Sequence, residues 1–180
     1  MINSALKHIC IVGIFLLDFA LFAQNEQHTA NEDSLKVVVP EQSLADIHML
    51  TPPEGFEVSD RFNGYIYTKM ASAIMMTMIE NTTYLMIEQG MTPEFFAANQ
   101  LLLIDKRSFQ SDYGVKGIIY KATFVLSGKD FVRYFVYAGD LNRTLWLAIT
   151  YPKMGEELLD SEILKSIQSI TFNPTTNEQK

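Results

Sequence analysis

The pair that most resembles a metal site in this sequence is Asp46 and His48. The two residues are two positions apart, so on a strand their side chains would point the same way. Zinc needs three or four ligands, and no second cluster accompanies this pair. Glu156 and Glu157 could contribute, but acids at the start of a helix usually complement its dipole. We therefore expect no metal and no cofactor, and we interpret His48 as a surface or edge residue.

Nucleophilic catalysis needs an activated Ser, Thr, Lys or Cys with a base in reach. The sequence has no Gly-x-Ser-x-Gly turn, and its one Ser-x-x-Lys pattern, Ser4 with Lys7, lies in an expected leader, as does the only cysteine, Cys10. His28 lies in a polar stretch, so a catalytic triad would have to use His48. We predict a non-catalytic protein, with a hydrolase that uses an unrecognised acidic pair as an alternative.

The N-terminus has the features of a secretory signal peptide, predicted over residues 1–23. Lys7 and His8 precede an apolar run from Ile9 to Ala23. As a helix this run rises only about 22 Å, less than the hydrocarbon core of about 30 Å, so cleavage after Ala23 is favoured over a membrane anchor. The mature chain then has no cysteine, which suits a bacterial periplasm. We expect a periplasmic or secreted protein.

The charge of the chain excludes one class of partner. The net charge is −7, and removal of the leader leaves it unchanged, because the leader carries one base and one acid. Such a chain repels phosphate backbones, so we expect no nucleic-acid partner, and no later segment predicts a transmembrane span. Residues 24–45 predict a disordered tether, residues 46–172 a single domain and residues 173–180 a disordered tail.

The elements that would position any site are strands joined by turn residues. Residues 64–69 and 72–80 predict a hairpin, and residues 46–50 an additional edge strand. Downstream, short turns rich in Gly, Asp, Asn and Ser separate four consecutive strands, which predicts an antiparallel meander at 101–110, 115–126, 131–138 and 144–151.

Helices are predicted before and after the meander along the chain. Thr92 and Pro93 have the residue types of an N-cap and a first helical position, and a short helix before them would stop at Gly90. A helix near the C-terminus places apolar residues on one side, at Leu159, Ile163, Ile167 and Ile170.

The strand over residues 72–80 is apolar on both faces. One face presents Ala73, Met75 and Ile79, whereas the other carries Ile74, Met76 and Met78. A half-exposed strand should alternate, so this one needs cover on both sides. The sequence therefore predicts an α+β fold, an α/β/α sandwich around a central antiparallel sheet of about six strands.

The order of several motifs resembles that of PsbP-like domains. Pro53, Gly55 and Phe56 match the Pro-x-Gly-Phe opening, and YGVKG, RYFVYAGD, ITYP and ILKSIQSI follow in similar order, over residues 46–172. The family is named after an extrinsic subunit of photosystem II, and its fold is shared by a Ran-binding nuclear-import factor. The resemblance implies an α/β/α sandwich and an accessory or binding role. It implies no active site.

Aromatic and methionine side chains give the one positive indication of a binding site. With the methionines of residues 70–78, these side chains either fill two cores, one on each face of the sheet, or line a groove for an apolar ligand. The aromatic residues are Phe95, Phe96, Tyr134, Tyr137 and Trp146. Arg133 interrupts an apolar strand, either as an edge residue or as a ligand for an anionic group.

The first functional hypothesis is accordingly a non-catalytic exported domain that binds another envelope protein. The alternative is a carrier or sensor of a small apolar ligand. A hydrolase is the third hypothesis, and the oligomeric state is left open.

Overall fold

The computed structural model describes residues 49–172, which form an α+β fold with one seven-stranded antiparallel sheet and three α-helices. The expected leader, the tether, Asp46, His48 and the tail from Asn173 lie outside the described residues. The strands are β1 Glu57–Val58, β2 Gly64–Tyr67, β3 Ser72–Glu80, β4 Leu102–Gln110, β5 Lys116–Leu126, β6 Lys129–Gly139 and β7 Arg143–Pro152.

The strands lie in the order β1-β2-β3-β7-β6-β5-β4. The predicted meander is confirmed, because each strand from β4 to β7 pairs with the next one along the chain. The predicted hairpin of β2 and β3 is also present and joins the meander through antiparallel pairing of β3 with β7. The strand β1 at one edge makes the sheet one strand larger than the expected six.

The three helices begin where the sequence predicts. They are α1 (Tyr84–Glu88), α2 (Pro93–Ala98) and α3 (Glu156–Gln168). The N-cap Thr92 accepts a hydrogen bond from the backbone N of Phe95 through its hydroxyl, which satisfies one of the amides left open at a helix start.

The two faces of the sheet contact different helices. On the face that we call the α3 face, Leu159, Ile163 and Ile167 of α3 are buried in one core with apolar side chains of β3, β5, β6 and β7. On the opposite face, the ring of Phe96 in α2 lies 5.6 Å from that of Tyr120 and 6.0 Å from that of Phe135. These contacts account for the apolar character of β6 on both of its faces.

The edge strand predicted at residues 46–50 differs from what is observed. Met49 is buried but lies in no strand, and the residues before it are outside the described part of the chain. The backbone here bonds to the segment after α3: Thr171 N donates to Met49 O at 3.0 Å, and Thr51 N donates to Ser169 Oγ at 2.8 Å. Because these groups are satisfied by the end of α3, residues 49–51 do not extend the sheet.

The Pro-x-Gly-Phe stretch that carries the resemblance forms a tight turn. Phe56 N donates to Pro53 O at 3.2 Å, and Gly55 has a φ of 87°, which the third residue of such a turn requires. The turn directs the ring of Phe56 into the core, 5.5 Å from the ring of Tyr67. The turn therefore accounts for a glycine at position 55 and an aromatic residue at position 56.

The hairpin of β2 and β3 depends on a glycine. Gly64 has a φ of 140°, and a Cβ atom there would overlap the carbonyl oxygen of Ile74. We expect Gly64→Ala to lower the free energy of unfolding by about 2 kcal/mol or more. Gly128→Ala is the matched control, because Gly128 also has a positive φ but no atom lies within 4 Å of the place that its new methyl group would take; it should cost about 1 kcal/mol. Urea unfolding of both variants measures the difference, and equal losses would contradict the steric argument.

Candidate functional site

The densest cluster of titratable side chains lies between α3 and the sheet, and we call it the Asp160 cluster. Lys121 comes from β5, Tyr134 from β6 and Tyr151 from β7, while Glu156 and Asp160 are one turn apart on α3. The Oδ1 atom of Asp160 accepts hydrogen bonds at 2.7 Å from Lys121 Nζ, Tyr134 Oη and Tyr151 Oη. Lys121 Nζ also lies 2.6 Å from Glu156 Oε1. The cluster therefore attaches α3 to three strands.

The surroundings of the Asp160 cluster shift the pKa values of Lys121, Tyr134 and Asp160. Burial would lower the pKa of Lys121, but hydrogen bonds to Asp160 and Glu156 raise it above its ordinary value. Burial and then the bond to Asp160 raise the pKa of Tyr134 to about 12. Burial opposes ionisation of Asp160, yet the bonds from its three donors lower its pKa. These shifts move the pKa values of Lys121, Tyr134 and Asp160 further from neutral pH, where acid–base catalysis needs a group to titrate.

The two acids considered for a metal site have different surroundings. Glu156 belongs to the Asp160 cluster through Lys121, whereas Glu157 is exposed on the first turn of α3. Both are near the helix N-terminus, where a negative charge complements the helix dipole. Among residues 49–172, no three His, Cys, Asp or Glu side chains lie close enough together to hold a metal ion.

The aromatic side chains singled out in the sequence are divided between the two faces. Tyr134 lies on the α3 face, in the Asp160 cluster. On the opposite face, Tyr137 is paired across strands with Trp146, and its hydroxyl donates to Met91 Sδ at 3.6 Å. Phe96 is buried on that face as well. These side chains fill two layers, so they do not line a single groove.

Arg133 is buried on the opposite face and is not the edge residue considered from the sequence. Its strand, β6, lies between β5 and β7, which removes it from either edge. The Nε atom donates to Thr150 Oγ1 at 2.9 Å, and the guanidinium carbon lies 4.6 Å from the ring centroid of Phe124 and 6.0 Å from that of Phe135. Burial lowers the pKa of Arg133 to about 10. The guanidinium therefore packs on this face of the sheet, in cation–π contact with Phe124 and Phe135.

An open groove of about 670 Å³ runs between α3 and the β1–β2 end of the sheet, and we call it the α3 groove. Three carboxylates line it, those of Glu54, Glu57 and Glu162, together with the ammonium group of Lys69 and apolar atoms of Tyr67, Met70 and Leu158. Within the described residues, Glu54 and Glu57 form no ion pair, whereas Glu162 Oε1 contacts Lys165 Nζ at 2.6 Å.

A second open groove, of about 620 Å³, lies along the N-terminal half of α3. Glu156 and Asp160 line it and both pair with Lys121, whereas Glu157, which also lines it, forms no ion pair within the described residues. The α3 groove is therefore the better candidate for binding a positively charged group, because two of its carboxylates lack such a partner in the described chain. Sequence reasoning missed the α3 groove, since its walls come from three separate parts of the chain.

Comparisons with known proteins add little to this geometry. No protein-family model matches the chain, and no curated protein matches it. The crystal structure of PA94 from Pseudomonas aeruginosa, a protein of unknown function, is similar with a TM-score of 0.37 and 12% sequence identity, over 70% of this chain and 99% of that chain. At this TM-score the likeness bears on neither fold nor function. In the described part of the chain, no helix combines the length and apolar character needed to cross a membrane.

Proposed function

We propose that this chain is a non-catalytic, exported accessory module of the bacterial cell envelope that binds a partner protein through the α3 groove. The proposal rests on one observation: the same groove combines exposed apolar surface with two carboxylates, Glu54 and Glu57, that form no ion pair within the described residues. Leu158, for example, is 71% exposed beside Glu54 and Glu57. Exposed apolar surface that is rimmed by polar residues is one mark of a protein-interaction site.

The chemistry of the groove defines the segment that it would bind. Carboxylates at Glu54 and Glu57 attract Lys or Arg, while Tyr67 and Met70 offer apolar contact. The net charge of −7 adds a long-range attraction for basic partners. A basic segment with one or two apolar residues therefore fits this surface best.

We also propose that the domain belongs to the PsbP-like fold family. The order of the motifs over residues 46–172 supports a PsbP-like α/β/α sandwich. The packing of α3 on one face and of Phe96 against the other is compatible with such an arrangement. Accessory and binding roles are what that resemblance implies.

Photocrosslinking in cells tests the partner. A photoreactive side chain at Leu158 should give a discrete adduct with another protein, whereas the same group at Leu141, an exposed turn position, should not. Replacing Glu54 and Glu57 together with lysine should reduce the adduct about fivefold or more, because it reverses the charge of the groove. Asp130→Lys, a charge reversal at an exposed position near the start of β6, is the matched control and should leave the adduct unchanged. Absence of an adduct from position 158 would contradict the proposal.

The alternative of a small-ligand carrier has one observation in its favour, since the volume of the α3 groove lies in the range of ligand sites. Native mass spectrometry of gently purified protein separates the two functions. A stoichiometric extra mass of a few hundred daltons that is lost on denaturation would favour the carrier, whereas a bare chain mass would favour the protein partner.

A further inference from the structure

The sheet ends at β4, a long strand with an open edge. Eight of its nine residues pair with β5 on one side, and no described strand pairs with the other side. Most of its side chains are exposed, including Leu102 at 65% and Ile104 at 54%. A long edge strand presents unpaired backbone donors and acceptors, which can pair with another strand.

Charges at the centre of β4 alternate between the two faces. Asp105 and Arg107 share the α3 face, because they pair in register with Lys121 and Ile119, and Arg107 Nη1 lies 3.7 Å from Asp105 Oδ2. Lys106 between them points to the opposite face, where its Nζ atom bonds Glu88 Oε1 at 2.8 Å. Along the centre of β4 the order is therefore an acid (Asp105), a base paired with Glu88 of its own chain (Lys106) and a second base (Arg107).

We propose that β4 binds β4 of a second copy of this chain in antiparallel register, with the two-fold axis at Lys106. This inference goes beyond the proposed function, because the α3 groove is at the other end of the sheet. The axis places Asp105 of each copy opposite Arg107 of the other. Two intermolecular ion pairs then form on the α3 face, and the two sheets continue as one.

The register follows from the charges. An axis at Asp105 would place two aspartates opposite each other, and an axis at Arg107 would oppose two arginines, and like charges directly across strands repel. An axis at Lys106 opposes two lysines, but Glu88 of the same chain neutralises each of them. Side chains on a continuous sheet keep their faces, so registers shifted by one residue are excluded.

Apolar surface flanks the same axis. Ile104 lies next to Asp105, at an irregularity in the β4–β5 register. On the opposite face, α1 ends at Glu88, and the exposed Leu85 lies three positions earlier, on the same side of α1 as the Glu88–Lys106 contact. A second copy would cover these side chains, which are otherwise in water.

The test measures the oligomeric state of the full-length chain by sedimentation velocity and light scattering. Wild type should have twice the mass of one chain. Arg107→Asp and Asp105→Arg should each weaken self-association about tenfold or more, because each replaces both ion pairs with like charges. An equimolar mixture of the two variants should restore the dimer, since each variant then faces opposite charges. Lys129→Asp, a charge reversal at the exposed first residue of β6, should not change the mass.

Two results would overturn the proposal. A wild-type chain that stays monomeric at its highest soluble concentration would show that the charges and the irregularity protect the edge. Dimers that persist in both single variants would place the interface elsewhere on the molecule. Circular dichroism of each variant confirms that any loss of the dimer occurs in folded protein.

Discussion

Met76→Asp is expected to unfold the domain at temperatures where the wild type is fully folded. Met76 is 2% exposed on β3 and faces the core beneath α3. It pairs in register with Leu147 of β7, and its backbone N donates to Asn63 O at 2.9 Å, so β3 cannot turn the side chain outward without losing both contacts. An aspartate there would bury a charge without a cation. The expected cost of about 4 kcal/mol or more is a large part of the stability of a small domain.

Thermal unfolding followed by circular dichroism measures this loss. Met76→Leu keeps the volume and apolar character of the side chain and should cost less than about 1.5 kcal/mol. Met154→Asp makes the same chemical change at a 94% exposed position and should be nearly neutral. An unchanged melting temperature for Met76→Asp would mean that this face of the sheet is exposed in solution.

The strands of this protein were predictable because each carries its own signal. Residues 72–80, for instance, form β3 over the predicted range, since the apolar run is bounded by turn residues. Short, polar turns then determine which strands of the meander are neighbours. The pairing of β3 with β7 was not predictable in this way. The two strands are far apart in sequence, and apolar strands of similar length would satisfy several pairings.

The Asp160 cluster shows why the site was harder to predict than the fold. Lys121 and Asp160 are 39 positions apart, and each has the residue type of an ordinary surface charge. Only the packing of α3 on the sheet brings Asp160 under Tyr134 and Tyr151. A partial signal existed: the acids of α3 recur one turn apart at Glu156 and Asp160, so both face the same way. Nothing in the sequence identifies their partner on β5.

The two proposed surfaces are compatible because the sheet order separates them. The α3 groove lies beside β2, near one edge of the sheet, whereas β4 forms the other edge. A dimer through β4 would leave both copies of the groove open, at opposite ends of a continuous sheet. Such a module would be bivalent, and two linked sites increase the apparent affinity for a partner that carries two basic segments.

Asp160→Ala is expected to produce the second large loss of stability. The substitution removes the acceptor shared by Tyr134 and Tyr151, which are buried, and leaves both hydroxyls without their partner. Lys121 retains only Glu156. Unsatisfied buried groups cost about 1–3 kcal/mol each, so we expect a loss of about 3 kcal/mol in urea unfolding at neutral pH. Glu157→Ala, one turn earlier on the exposed side of α3, should change stability by less than about 0.5 kcal/mol.

The pH dependence of unfolding separates the charge of Asp160 from its hydrogen bonds. Because the pKa of Asp160 is lowered on folding, its contribution is present above about pH 4 and is lost as the pH falls through the folded pKa. At the alkaline end the sign is reversed. The pKa of Tyr134 is raised to about 12, first by burial and then by Asp160, and that of Lys121 is also raised, so their contribution is present below about pH 10 and is lost above it.

Asp160→Asn keeps an acceptor oxygen but removes the charge, so it should lose less stability than Asp160→Ala at neutral pH. The difference in unfolding free energy between wild type and Asp160→Asn should be constant near neutrality and shrink below about pH 4, because the wild-type carboxylate is then protonated. It should also shrink above about pH 10, where Tyr134 and Lys121 lose their protons in the unfolded chain before they do so in the folded one. A difference that does not vary with pH would mean that Asp160 stabilises the fold through packing alone, and the attachment of α3 to the sheet would then rest on its apolar face.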